Sequence, residues 1–154
     1  MNYVEIRSKL NEELKKSIKE KNEAIKSVVS ILSSKLAAIN KEAGLKGKEV
    51  TEQDIIAILS SELKQTKESL EGAIKSGREE AIAKANDQIK FIESFLPKQM
   101  TEEEIIEFVK NKITSLGIEN PTNKDFGLIM KNVSPELKGK ADGKLVSQIV
   151  KSLL

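Results

Sequence analysis

Apolar residues recur at steps of three and four along almost the whole chain, and no segment keeps the strict alternation of a half-buried strand. The pattern predicts an all-α fold. Ile6, Leu10, Leu14 and Ile18 mark a first helix, and Ile25, Val29, Leu32, Leu36, Ile39 and Ala43 mark a second, closed by Gly44 and Gly47. Thr51-Glu52-Gln53-Asp54 has the form of a capping box, with Asp in place of Glu or Gln. It opens a third helix through Ile56, Leu59, Leu63, Leu70 and Ile74. Gly77 is expected to stop this helix in the left-handed conformation. Ile82, Ala85, Ile89, Ile92 and Leu96 then alternate steps of three and four, which predicts a narrow seam against one neighbour. With so short a connection about Gly77, the third and fourth helices are expected to form a long antiparallel hairpin.

The run "FLPKQMTEEE" interrupts this pattern. Pro97 disfavours helix at Leu96, and Thr101 with Glu104 can open a new one. The chain is therefore expected to divide into an N-terminal helical hairpin domain, 1–96, and a small C-terminal three-helix unit, 101–154. The first helix of that unit carries Ile106, Val109, Ile113 and Leu116 and stops at Gly117. "IENPTNK" links it to a short helix with Phe126, Ile129, Met130 and Val133, which Pro135 is expected to end. Gly127 is expected to permit a close helix crossing. The last helix carries Leu145, Val146, Ile149, Val150 and Leu153.

Composition narrows the chemistry. Hydrophobic residues make up 38% and charged ones 32% of 154 residues, a mixture that predicts a soluble globular protein. No stretch approaches the roughly 18 apolar residues of a membrane span. The opening "MNYVEIRSKLNEEL" is charged where a leader peptide is apolar, so a cytoplasmic location is expected. There is no Cys and no His, which removes disulfides, Cys/His zinc sites, thiol nucleophiles and imidazole bases. Aromatic residues are 3%, too few for a protein that stacks single-stranded bases on rings. No phosphate-binding loop, dinucleotide fingerprint or serine elbow is present. The expectation is a non-enzyme without cofactor or metal.

Net charge is only +2, so local clustering must identify any polyanion partner. In the last 17 residues Lys138, Lys140, Lys144 and Lys151 face a single acid, Asp142. The turn "KGKADGK" has two readings. In one, Asp142 caps the last helix, Gly143 lets the backbone pack closely and the lysines keep the loop soluble. In the other, Lys138, Lys140 and Lys144 meet a phosphate around a helix N-terminus. A capping Asp142 weakens direct anion binding at the helix end, so any phosphate contact is expected from lysine side chains. Lys124 and Lys131, which flank "KDFGLIMK", are candidates for the same partner, whereas Phe126, Ile129 and Met130 between them read as core. Glu102, Glu103 and Glu104 are explained by their place in a first helical turn, where carboxylates complement the helix dipole.

The segments "ESFLPKQMTEEEI", "KDFGLIMKNV" and "LKGKADGKLVSQIVKSLL", with "SSELKQTKESLEGAIKSGRE" before them, resemble the GatB/YqeY family. That family comprises small stand-alone proteins and the tail of the B subunit of tRNA-dependent amidotransferases. The likeness covers essentially the full length. It implies long N-terminal helices joined to a C-terminal three-helix unit, and kinship with a domain that touches the outside of a tRNA. The parts that transfer the amide in such enzymes have no counterpart here. Where relatives tend to carry arginine, this chain has Ile25, Ser30 and Thr66, and its only arginines are Arg7 and Arg78. Lysine gives a point charge where arginine gives a bidentate fork. The resemblance and the lysine cluster together lead to the expectation of a non-catalytic tRNA-binding accessory protein acting through Lys124, Lys131, Lys138, Lys140 and Lys144, with a tRNA-charging or amidating enzyme as a further partner and no membrane. The alternative reading is a helical protein–protein interaction module that binds no RNA.

Overall fold

A computed structural model describes residues 1–154. It contains seven α-helices and no strand: α1 (Tyr3–Lys19), α2 (Glu23–Leu45), α3 (Glu52–Ser76), α4 (Glu79–Glu93), α5 (Glu102–Ser115), α6 (Phe126–Leu137) and α7 (Gly143–Ser152). A 3-10 turn, Asn123–Asp125, leads into α6. The chain is all-α. It divides into two compact units, Met1–Leu96 and Pro97–Leu154.

Side chains fix most of the helix starts by satisfying backbone N–H groups that have no partner inside the helix. Asn2 and Glu5 form a reciprocal box at α1, and the Asn22 side chain accepts from the Ile25 N–H at α2. At α3 the Thr51 hydroxyl accepts from the Asp54 N–H at 3.1 Å, and the Asp54 carboxylate accepts from the Thr51 N–H at 2.9 Å. The shorter Asp therefore completes the box. Gly77 ends α3 at φ 67°, in the left-handed region that costs glycine nothing. Gly44 does not close α2. The helix runs through it to Leu45, and Gly47, at φ 66°, turns the chain.

In the first unit α1 runs along α2 and α3 along α4, while α2 also packs on α3 and α4. The hydrophobic core consists of Ile6 and Leu10 of α1, Val28, Val29, Leu32 and Leu36 of α2, Ile55, Leu59 and Leu63 of α3, and Ile92 of α4 with Leu96 beyond it. Polar contacts cross the same seams. The Arg7 guanidinium donates to the Ser33 carbonyl at 2.8 Å, and Gln88 donates to the Ala24 carbonyl at 2.9 Å. Lys35 of α2 pairs with Glu62 of α3 at 2.6 Å, and the Glu62 side chain is only 8% exposed.

Several apolar positions fall elsewhere than their spacing suggests. Ile18 and Ile74 are exposed, and Ile55 rather than Ile56 is buried in α3. Near the α3–α4 connection the buried residues are Ala73 and Ala85. Small side chains form the seam there, and Ile74 lies outside it.

In the second unit α5, α6 and α7 pack on one another. Ile105, Val109 and Ile113, then Ile129, Val133 and Leu137, then Val146, Ile149 and Val150 make its core. Pro135 does not end α6. The helix continues to Leu137, which is 2% exposed and lies four residues beyond Val133 on the same buried stripe. Pro135 cannot bond the Lys131 carbonyl, but Lys131 is an exposed residue, and water can satisfy that carbonyl. Gly127 makes no close crossing, and Gly143 is not tightly packed. Nothing lies within 4 Å of the place a Cβ would occupy at either position.

Candidate nucleic-acid interface

The turn between α6 and α7 is held from both of its sides. At its end, the Asp142 side chain accepts from the Lys144 N–H at 3.0 Å and so caps α7. At its beginning, Lys138 follows the last residue of α6, and Gly139 takes φ 81° to reverse the chain. The segment before α5 completes the grip: the Gln99 side-chain amide donates to the Gly139 carbonyl at 2.8 Å, and the Met100 N–H donates to the Lys140 carbonyl at 2.9 Å. Gly139 is buried, while Lys138, Lys140 and Lys144 are exposed. Three ammonium groups are thus carried by backbone fixed at several points. These bonds reduce the backbone freedom left to lose on binding, so that the ordering cost shifts towards the lysine side chains.

The other two candidates lie elsewhere in the unit. Lys131 is midway along α6, on the side away from the buried stripe Ile129, Val133 and Leu137, and Lys124 sits in the 3-10 turn before α6. The structure therefore gathers Lys138, Lys140 and Lys144 at one end of α6 and leaves Lys124 at the other. None of these five lysines forms an ion pair. The single ion pair of this unit joins Lys112 to Glu136 at 2.9 Å.

Charge is unevenly divided along the unit. Residues 123–154 carry six lysines and three acids, whereas Glu102, Glu103, Glu104 and Glu107 belong to α5. The first three are exposed in the opening turn, where the Thr101 hydroxyl accepts from the Glu104 N–H at 3.2 Å. Asp142, the acid nearest in sequence to the basic turn, spends one oxygen on the α7 cap.

Lys151 and Gln99 stood outside the sequence-based set. The Lys151 ammonium lies 5.6 Å from the centroid of the Phe126 ring, and Lys112 lies 5.7 Å from that of Phe108. Both rings of the unit are therefore engaged by cations. The 25-residue gap between Phe126 and Lys151 gives no local signal for that contact. Nor does a lone Gln99 announce a clamp on a turn 40 residues later.

The three positions without arginine have roles of their own. Ile25 packs against the first core, the Ser30 hydroxyl donates to the Lys26 carbonyl at 2.8 Å, and the buried Thr66 hydroxyl donates to the Glu62 carbonyl at 2.8 Å. Of the two arginines, Arg7 is committed to the α1–α2 seam and Arg78 is exposed at the start of α4.

Residues 7–154 match the family model described as Yqey-like protein. A curated relative, "Altered inheritance of mitochondria protein 41, mitochondrial" of Lachancea thermotolerans, is 28% identical over 122 residues. The match takes in 78% of this chain and 64% of the relative, so the chain spans less than two thirds of that protein's length. Because the family model covers the chain from the second turn of α1 to its last residue, both helical units included, the protein belongs to the YqeY-like family.

Proposed function

We propose that this protein is a non-catalytic RNA-binding accessory protein that engages the backbone of a folded tRNA beside a tRNA-charging or amidating enzyme. The observation that carries the reading is the α6–α7 turn. Lys138, Lys140 and Lys144 are exposed, free of ion pairs and held on a clamped backbone. Unpaired ammonium groups gain by releasing the counterions condensed on a nucleic acid, and this gain falls as salt rises. The absence of arginine from the second unit agrees with contact to phosphates in preference to bases, since guanine is most often read by a bidentate guanidinium. The resemblance to the tail of the amidotransferase B subunit supplies the choice of tRNA. The cytoplasm is the proposed location. The relative from Lachancea is described as mitochondrial, and no helix of this chain is long and apolar enough to cross a membrane.

The test is a titration of labelled tRNA at two salt concentrations, with the wild-type chain and the Lys138→Ala/Lys140→Ala/Lys144→Ala variant. The wild type is expected to bind more weakly at high salt. The variant is expected to show a log K against log salt slope shallower by about 2 to 3, on the order of one per lost phosphate contact. Equal affinity and equal slope for the two proteins would remove the turn as the site. Recovery of a protein partner after nuclease treatment, with no tRNA binding, would favour the interaction-module alternative.

A further inference from the structure

Lys124, Lys131 and Lys138 stand seven residues apart, and seven residues fall only about 20° short of two full helical turns. Lys131 on α6 and Lys138, the residue that follows its last one, therefore lie nearly in line, on the side opposite Ile129, Val133 and Leu137. Lys124 belongs to the 3-10 turn that runs directly into α6. Counting back from Phe126 at the 3-10 or the α-helical period leaves it within about 20° of Lys131 around the axis. The row extends over about 20 Å at 1.5 Å per residue. Gly127 and Ser134, both exposed, flank the gaps between its lysines on one side, and Leu128 and Pro135, also exposed, flank them on the other.

We infer that this face of α6 is a docking surface for a paired RNA stem, gripped along its sugar-phosphate exterior. The inference rests on the RNA-binding reading and names the part of the RNA that is held. Charge complementarity identifies the occupant: an exposed line of cations without ion pairs matches a rod whose surface is lined with phosphates. A single strand is a poorer match. Its binding leans on aromatic platforms, and the two rings of this unit, Phe108 and Phe126, are half-buried and already have a lysine ammonium against them. Double-stranded RNA is recognised mostly by shape and by phosphate and 2′-hydroxyl contacts, which lysines without neighbouring arginines can provide.

Two gain-of-charge variants test the position of the surface. Gly127→Lys and Ser134→Lys fill the gaps in the row. A Cβ at residue 127 meets nothing within 4 Å, and Ser134 is exposed, so both variants are expected to fold, as a circular dichroism melt checks. Asn111→Lys adds the same charge at an exposed site on α5 and serves as the control. The probes are an RNA hairpin of about 12 base pairs and an unstructured oligouridine of equal length. Each row variant is expected to bind the hairpin on the order of fivefold more tightly at 0.1 M salt, with the salt slope steeper by about one. Asn111→Lys should change hairpin affinity by less than twofold, and the oligouridine should bind the wild type more weakly than the hairpin. Equal gains from Asn111→Lys, or equal affinity for the two probes, would overturn the inference. A wild type that binds no tRNA would sink the RNA-binding reading itself. Should tRNA bind and be weakened by the turn substitutions but not by Lys124→Ala/Lys131→Ala, only the α6 surface fails.

Discussion

Glycine and lysine show how differently one residue type can act at different points of the same fold. Gly72 lies inside α3 with nothing within 4 Å of the place a Cβ would occupy, whereas Gly77, five residues later, holds φ 67°. Gly72→Ala is expected to stabilise the protein by about 0.5–1 kcal/mol by narrowing the unfolded ensemble and improving helix propensity. Gly77→Ala is expected to destabilise it by about 1–2 kcal/mol, since alanine is strained in the left-handed region. Urea unfolding of the two variants reads both signs. The left-handed requirement at Gly77 is legible in the sequence because a glycine follows the last apolar step of a long helix. The spacious surroundings of Gly127 and Gly143 are not, because a glycine in a helix sequence looks the same whether a neighbour approaches or nothing does. Lys21 is a comparable case: it is the one non-glycine residue with positive φ, 56°, and no sequence rule for turns singles out lysine there.

At the scale of helices, periodicity identifies the class of structure, and tertiary packing decides which stripe is buried. Ile56 and Ile106 satisfy the spacing as well as Ile55 and Ile105 do, yet the latter pair is buried and the former half-buried. A helix with apolar residues at adjacent positions offers two stripes, and the contacts of neighbouring helices choose between them. Glu62 was hidden from sequence reasoning for a related reason: it stands beside Leu63 on the buried side of α3, where its carboxylate is neutralised by Lys35 from α2. Lys35→Met should cost about 1–3 kcal/mol by leaving a buried carboxylate without its partner, discounted for the part-exposed lysine end of the pair. The double variant Lys35→Met/Glu62→Leu should be more stable than Lys35→Met alone, which a denaturant double-mutant cycle measures. A double variant no more stable than the single one would mean that the pair is held for its geometry in the α2–α3 seam.

The molecule as a whole keeps two separate cores, one within residues 1–96 and the other within residues 97–154. Ile129, fully buried in the second core, should cost about 2–5 kcal/mol on replacement by alanine. Amide exchange is expected to accelerate in α5, α6 and α7 and to stay unchanged in α1–α4, since cooperative units open as their own contacts weaken. Faster exchange throughout the chain would show one cooperative unit instead of two. The near-zero net charge conceals the division that matters for binding: acids gather on α5 and lysines on the stretch from residue 123 onward. The lysine positions are legible one by one in the sequence. Their freedom from carboxylates is not, because Glu136 could have paired with Lys140, four residues on, and is bonded to Lys112 instead.

The Gln99 and Met100 bonds to the α6–α7 turn also dictate where the chain tolerates lengthening. Residues added between Leu96 and Pro97 would leave Gln99, Met100 and the start of α5 in their present register, so a spacer spliced there should preserve the lysine-bearing loop. The same spacer placed between Met100 and Thr101 would detach the loop's fastening from α5, and the ammonium groups of Lys138 and Lys140 would be carried by backbone free to wander.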